Sequence, residues 1–138
     1  MSDEISDELI RTAAFRTELR RFLRRTATVT VEAGLTPQRY DLLLMIAAAP
    51  DGRTTVTELC ESLQLRQTAV TELVKRAEDA GLITRASSPA DGRVSLLGLT
   101  ADGRRRLLQV FEALREDRMA FAEAFQLLRR RFHAASSG

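Results

Sequence analysis

Apolar residues return at helical spacing from Ile5 onward: Ile5, Leu9, Ala13, Leu19, Leu23 and Ala27 fall on one face. Phe15 and Phe22 add a second apolar flank. The pattern predicts one long helix over residues 5–33. Two apolar flanks predict two things to cover, the helix's own core and a partner chain. Thr28-Val29-Thr30-Val31 is a β-branched run that weakens the helix locally. Gly34 is a stop signal. Thr36-Pro37 is a start, with Thr as N-cap and Pro at the first helical position. The next helix, Pro37 to about Ala49, is apolar on most sides through Tyr40, Leu42, Leu43, Leu44, Met45 and Ile46, as a central core helix is. Pro50-Asp51-Gly52 ends it.

Thr55-Val56-Thr57-Glu58 has the form of a capping box. It predicts a short helix over 56–63 with Leu59, Cys60 and Leu63 inward. Gln64-Leu65-Arg66 makes a turn, and a second helix runs from about Gln67 to Ala80 with Val70, Leu73, Val74 and Ala77 inward. Its outward face carries Gln67, Thr68, Thr71, Glu72, Lys75 and Arg76. Gly81 to Arg85 starts a strand, Pro89 to Arg93 turns the chain, and Val94 to Leu99 returns it. Asp91-Gly92 is the short-range hairpin signal. Thr100 caps a last helix, and Asp102 in its first turn suits the macrodipole. An uninterrupted helix over 101–133 spans about 50 Å at 1.5 Å per residue. That is longer than one small domain needs, so part of it is expected on another subunit, with a bend near Glu116–Met119. The fold class expected is mainly α (α+β): a single domain over 1–138, with a winged helix-turn-helix lobe at 36–99 between long dimerisation helices at 5–33 and 101–133.

Composition sharpens this only a little. The chain has 138 residues, one domain by length, and net charge is only +2 although the pI is near 9.3. The placement of charge therefore says more than its total. Arg supplies 20 of the 21 basic residues, Lys75 being the only Lys. Arg excess suits phosphate and base-edge recognition, and it is equally what a GC-rich genome's codons yield. One Cys excludes an intramolecular disulfide. The acidic Ser2-Asp3-Glu4 start lacks the order of a signal peptide, and no stretch is long and apolar enough for a membrane, so cytoplasmic residence is expected.

The candidate chemistry is recognition of duplex DNA. A second helix of this kind enters the major groove, where polar side chains near its N-terminus reach base edges. Gln67 can pair with adenine, Glu72 can accept from cytosine, and the methyls of Thr68 and Thr71 can touch thymine. Arg76, one turn on, meets phosphate. Arg66 breaks the N-cap preference for Ser, Thr, Asp or Asn. It binds phosphate, or is a tolerated poor cap, or Thr68 caps a later start. Arg93 at the hairpin tip can enter a narrow minor groove, oriented by Asp91, although the two also fit a plain surface ion pair. Cys60 reads as a small buried hydrophobe, and His133 as a favourable group in the last helical turn. No nucleophile triad, metal cluster or phosphate-cradling Gly-rich loop is present, so no catalytic residue, metal or cofactor is expected and the chain is not read as an enzyme. The competing reading is a winged-helix protein-interaction module that does not read DNA, motivated by Glu72 and by Glu78-Asp79 beside the recognition helix.

Five segments together resemble the MarR (multiple antibiotic resistance regulator) family of bacterial transcription factors. They are Gly34 to Tyr40, Thr57 to Leu63, Thr68 to Arg76 with Gly81 to Arg85, Asp91-Gly92-Arg93, and Leu99 to Gly103. The resemblance covers the first helix to about Leu114. It implies a homodimer held by the first and last helices on a pseudo-palindromic double-stranded DNA operator. It also implies a repressor relieved by a small aromatic or anionic effector. It turns Gln67, Thr68, Thr71 and Glu72 to the groove, Arg76 and Arg85 to phosphate, and Arg93 to the minor groove. With Arg66, Lys75 and Asp91 these form the candidate DNA-binding set. The chain departs from the family at Arg66, where a small polar cap is usual, and at Glu72, where many members carry Arg. It also departs in its short C-terminal region, 39 residues from Thr100 to Gly138 where two helices are common. The reactive first-helix Cys of hydroperoxide-sensing members is absent.

Overall fold

The computed structural model describes residues 2–135, with side chains over residues 3–129. The elements are α1 (Ser2–Glu32), α2 (Pro37–Ala48), a 3-10 turn (Pro50–Gly52), β1 (Arg53–Thr54), α3 (Val56–Leu63), α4 (Gln67–Asp79), β2 (Ile83–Ser87), β3 (Ser95–Leu99), α5 (Ala101–Ala113) and α6 (Arg115–Ala135). The chain divides into two compact units, Thr30–Phe111 and the paired segments Met1–Val29 and Glu112–Gly138.

The first unit is the winged helix-turn-helix lobe. Its core is Leu42, Leu43 and Ile46 of α2, Leu59 of α3, Val70, Val74 and Ala77 of α4, then Leu82, Ile83 and Leu97, with Leu107 and Val110 of α5. Leu44, Met45, Cys60, Leu63 and Leu73 are half-buried at its margin, so Cys60 is less enclosed than its apolar neighbours implied. Local signals place the helix ends. Thr36 accepts from the Arg39 N–H at 3.1 Å. Thr55 and Glu58 close the capping box, and the Thr54 hydroxyl adds a bond to the same Glu58 carboxylate at 2.6 Å. The Thr28–Val31 run does not end α1, because Val29 and Thr30 are buried and the Thr26 and Thr28 hydroxyls bond back to Phe22 and Arg24 carbonyls. Gly34, at φ 72°, then reverses the chain.

The sheet runs β1-β3-β2, all antiparallel. Strand β1 is two residues long and pairs Arg53 with Gly98 and Thr54 with Leu97; a segment that short has no alternation to read in the sequence. At the wing root, the Leu82 carbonyl accepts the Thr100 N–H at 3.0 Å. The Thr100 hydroxyl donates to the Gly81 carbonyl at 2.6 Å and accepts the Gly103 N–H at 3.0 Å. Asp102 binds Arg105 and Arg106, and Arg106 also reaches the carbonyls of Ala33 and Gly34 at 3.4 Å.

The second unit pairs the N-terminal part of α1 with α6. Phe15 and Phe22 lie 5.5 and 5.3 Å from the Phe121 ring, and Phe15 lies 6.0 Å from Phe125. Arg25 meets Asp117 at 3.6 Å. It is the Phe15/Phe22 flank that packs inside this unit. Of the flank expected inward, Leu19 and Ala27 are half-buried while Ile5, Leu9, Ala13 and Leu23 are exposed. Periodicity shows which residues share a face, not what covers it. The expected single helix over 101–133 is two helices of 13 and 21 residues, so the short C-terminal region does hold two. The break falls at Leu114, ahead of the expected bend. There the Leu114 carbonyl takes the Arg118 N–H at 2.8 Å, and Glu116 and Asp117 supply the acidic first turn a helix start favours. The side chains of Phe132 and His133 lie outside the described residues.

A Cβ on Gly103 would sit 2.1 Å from the Leu82 carbonyl oxygen. Gly103→Ala is therefore expected to lower the urea midpoint at unchanged m, by about 1–3 kcal/mol of stability; an unaltered midpoint would show that α5 can move aside. The hydrogen bond from Arg105, opposed by desolvation and aided by the charge of Arg106, holds Asp102 below the ordinary aspartate value of 3.8. Its contribution is complete above that value and is lost as pH falls through the lower, folded one. The stability difference between the native chain and Asp102→Asn should accordingly shrink on acidification, measured by denaturation across that range.

Candidate nucleic-acid interface

Val70, Val74 and Ala77 bury one face of α4, which turns the opposite face outward. Gln67, Thr68, Thr71, Glu72, Lys75, Arg76 and Asp79 line one open strip along it. The turn before α4 is set by Gln64, a non-glycine residue at φ 55°, whose side-chain amide donates to the Glu61 carbonyl at 2.6 Å. The helix starts at Gln67 with Arg66 as its N-cap, and no side chain caps it. Thr68 is thus inside the helix, not its cap. The first N–H groups of α4 and the exposed residue Arg66 stand together at the N-terminal end of the helix.

The wing follows from the register. Arg85 pairs with Leu97, which pairs with Thr54, and Leu97 and Thr54 are buried. This row is the inner face of the sheet. The Arg85 Nε lies 3.2 Å from both oxygens of Glu78 at the end of α4. The Asp91-Gly92 signal does produce a hairpin, but not a tight two-residue turn. Residues 88–94 form the loop, Ser88 N–H donates to the Val94 carbonyl at 2.9 Å, and Gly92 has no positive φ. The Asp91 carboxylate braces the loop by accepting the Arg93 N–H at 3.0 Å, as an Asx turn does. Its contact with the Arg93 guanidinium is looser, 3.8 Å, and that side chain is 95% exposed.

The structure thus brings Gln67, Thr68, Thr71, Glu72, Lys75 and Arg76 into one strip with Arg66 at its head, and sets Asp91 and Arg93 on the wing loop. Glu78 enters as the partner of Arg85, and Asp79 lies along the strip itself. On the strip itself two cations, Lys75 and Arg76, balance two carboxylates, Glu72 and Asp79. Arg76 meets Glu72 at 2.8 Å, one turn apart. Arg66 and Lys75 have no carboxylate partner among the described residues. Among the described residues there is also no group of His, Cys, Asp and Glu that could hold a metal, and no described helix is long and apolar enough to cross a membrane.

A helix-turn-helix followed by an Arg-tipped antiparallel wing is the arrangement found in known regulators. Residues 33–94 match the model of the MarR family. The winged-helix lobe belongs to the MarR family. A transcriptional regulatory protein described for the hcr operon of Thauera aromatica is 29% identical over 103 residues, covering 74% of this chain and 61% of that protein. The chain spans less than two-thirds of the length of the curated relatives it matches. A crystal structure of a MarR family transcription regulator superposes with a TM-score of 0.78 at 22% identity, over 99% of this chain and 97% of the other. A MarR mutant from E. coli complexed with operator DNA gives 0.65 at 20% identity, over 94% and 87%. At these identities the solved structures establish the MarR winged-helix fold.

Exposed helix pairs one turn apart contribute about 0.3–0.5 kcal/mol. A double-mutant cycle over Glu72 and Arg76, read by denaturation, should give a coupling of that size that fades with added salt. A coupling above about 1 kcal/mol would mean that Arg76 is locked and not available to an outside anion.

Proposed function

We propose that this chain is a sequence-specific, duplex-DNA-binding transcriptional regulator, a homodimeric repressor that a small aromatic or anionic effector relieves. The observation that carries the reading is the exposed polar strip of α4, headed by the uncapped Arg66 end and followed by a wing whose Arg93 side chain is exposed and only loosely held by Asp91. The strip offers groups suited to base edges, while an open helix N-terminus and Arg66 suit a backbone phosphate. Arg93 suits a narrow minor groove. Arg76 and Arg85 reach phosphate by exchanging weak surface partners, Glu72 and Glu78, for a stronger anion. The relation to a regulator described for an operon, and to a fold neighbour crystallised on operator DNA, supports the same reading.

Dimerisation rests on the uncovered apolar side chains of α1 and α6. Leu9, Ile10, Met119 and Leu127 are 65, 67, 62 and 56% exposed, apolar side chains that a partner chain would cover. A two-fold pair of lobes would read a pseudo-palindromic site. The alternative, a winged-helix module for a protein partner, is favoured by one feature: carboxylates match the cations along α4.

Selection of genomic duplexes on the purified chain, followed by anisotropy titrations, tests this. Affinity should fall steeply with salt, and Arg93→Ala should lose about 1–3 kcal/mol of binding with an unchanged melting temperature. If no duplex is enriched and Arg93→Ala behaves as the native chain, the DNA reading fails. A protein partner that displaces duplex from the native chain would favour the alternative.

A further inference from the structure

The outer face of the sheet carries a recess that the DNA reading leaves unused. Across the three strands, Arg53, Gly98 and Thr84 stand in one row. Side chains alternate along a strand, so this row faces away from the buried Leu97 and Thr54. The recess is about 270 Å³, lined by Arg53, Thr84, Leu96, Gly98, Arg104 and Asp51 among others.

Gly98 is the informative position. A glycine inside a strand weakens it and commonly marks a bulge or the close approach of a ligand or another backbone. Gly98 keeps its register with both neighbours and has no positive φ. A Cβ there would meet only ordinary contacts, 3.7 Å from the Gly52 carbonyl and 3.9 Å from Arg53 Cγ. Neither conformation nor crowding asks for glycine, in contrast with Gly103. What the missing side chain does is leave the floor of the recess open.

Two guanidinium groups flank that floor. Arg105 and Arg106 both bind Asp102, but Arg104 beside them has no carboxylate partner among the described residues, and neither has Arg53. Both line the recess with Asp51, whose φ of 58° is unusual for a residue other than glycine. Two cations and one carboxylate leave a single net positive charge, which matches a monoanion and disfavours a dianion. Leu96 and Ala47 add apolar wall, and the volume is below the usual range of about 300–1,000 Å³ for drug-sized ligands. We propose that this recess binds a small organic monocarboxylate, its carboxylate held by Arg53 and Arg104 and its short apolar body lying over Gly98.

Titration of the full chain with butyrate, followed by amide NMR, tests the site independently of any DNA binding. The amides of Arg53, Thr84 and Gly98 should shift saturably, and neutral butyramide should leave them in place. Arg104→Gln should weaken butyrate about tenfold or more, the loss of one charge-assisted hydrogen bond. Gly98→Ala should weaken binding without lowering the melting temperature, since a Cβ there has room. If that variant misfolds, the surface change at Arg104 still decides. Absence of a saturable shift, equal shifts with butyramide, or full affinity in Arg104→Gln would overturn the proposal. So would inorganic phosphate binding more tightly than butyrate.

Discussion

The carbonyl of Leu82 receives the Thr100 N–H and at the same time lies against the bare backbone of Gly103. No side chain fits between α5 and this group. Around it, Thr100 also holds the last turn after α4 through Gly81 and caps α5. Ile83 and Leu99, the first and last residues of the hairpin strands, pair directly beside it. The end of α4, both roots of the wing and the start of α5 are therefore fixed to one another by a handful of backbone groups. The strip on α4 and the wing loop are presented by one frame, and a displacement of α5 must be felt at the wing root.

Much of this frame is legible in the sequence because capping is local. Thr36, Thr55 and Thr100 each act on the N–H group three residues on, and nothing distant has to be known to place them. The inward rows of α3 and α4 are legible for a similar reason, since a short amphipathic helix has only one face to bury. The break at Leu114 is not legible in that way. The apolar spacing runs through Val110, Phe111 and Leu114 without a Gly or Pro, and the new helix is started by the acidic turn that follows. Nor is the pairing of Arg85 with Glu78, which depends on how the chain reverses at Gly81 between them.

The candidate site was partly legible too. Its positions on α4 and in the wing follow from period and turn signals, but its electrostatics do not. Which carboxylate each Arg meets is a matter of side-chain reach across a helix turn or from strand to helix. The outer recess was not legible at all: β1 is too short to show alternation, and Gly98 is informative only once its open surroundings are known.

The matched charges of α4 carry a kinetic consequence. Arg76 beside Glu72 and Arg85 beside Glu78 form close dipoles, whose fields fade within a Debye length of about 8–10 Å in ordinary salt. At a distance the face exerts little pull on a polyanion, so electrostatic steering of encounter is weak. Arg76 and Arg85 act only when a partner is near enough to turn their carboxylates aside. Such a face sorts its partners after they touch, through residence time, and not by how fast they arrive.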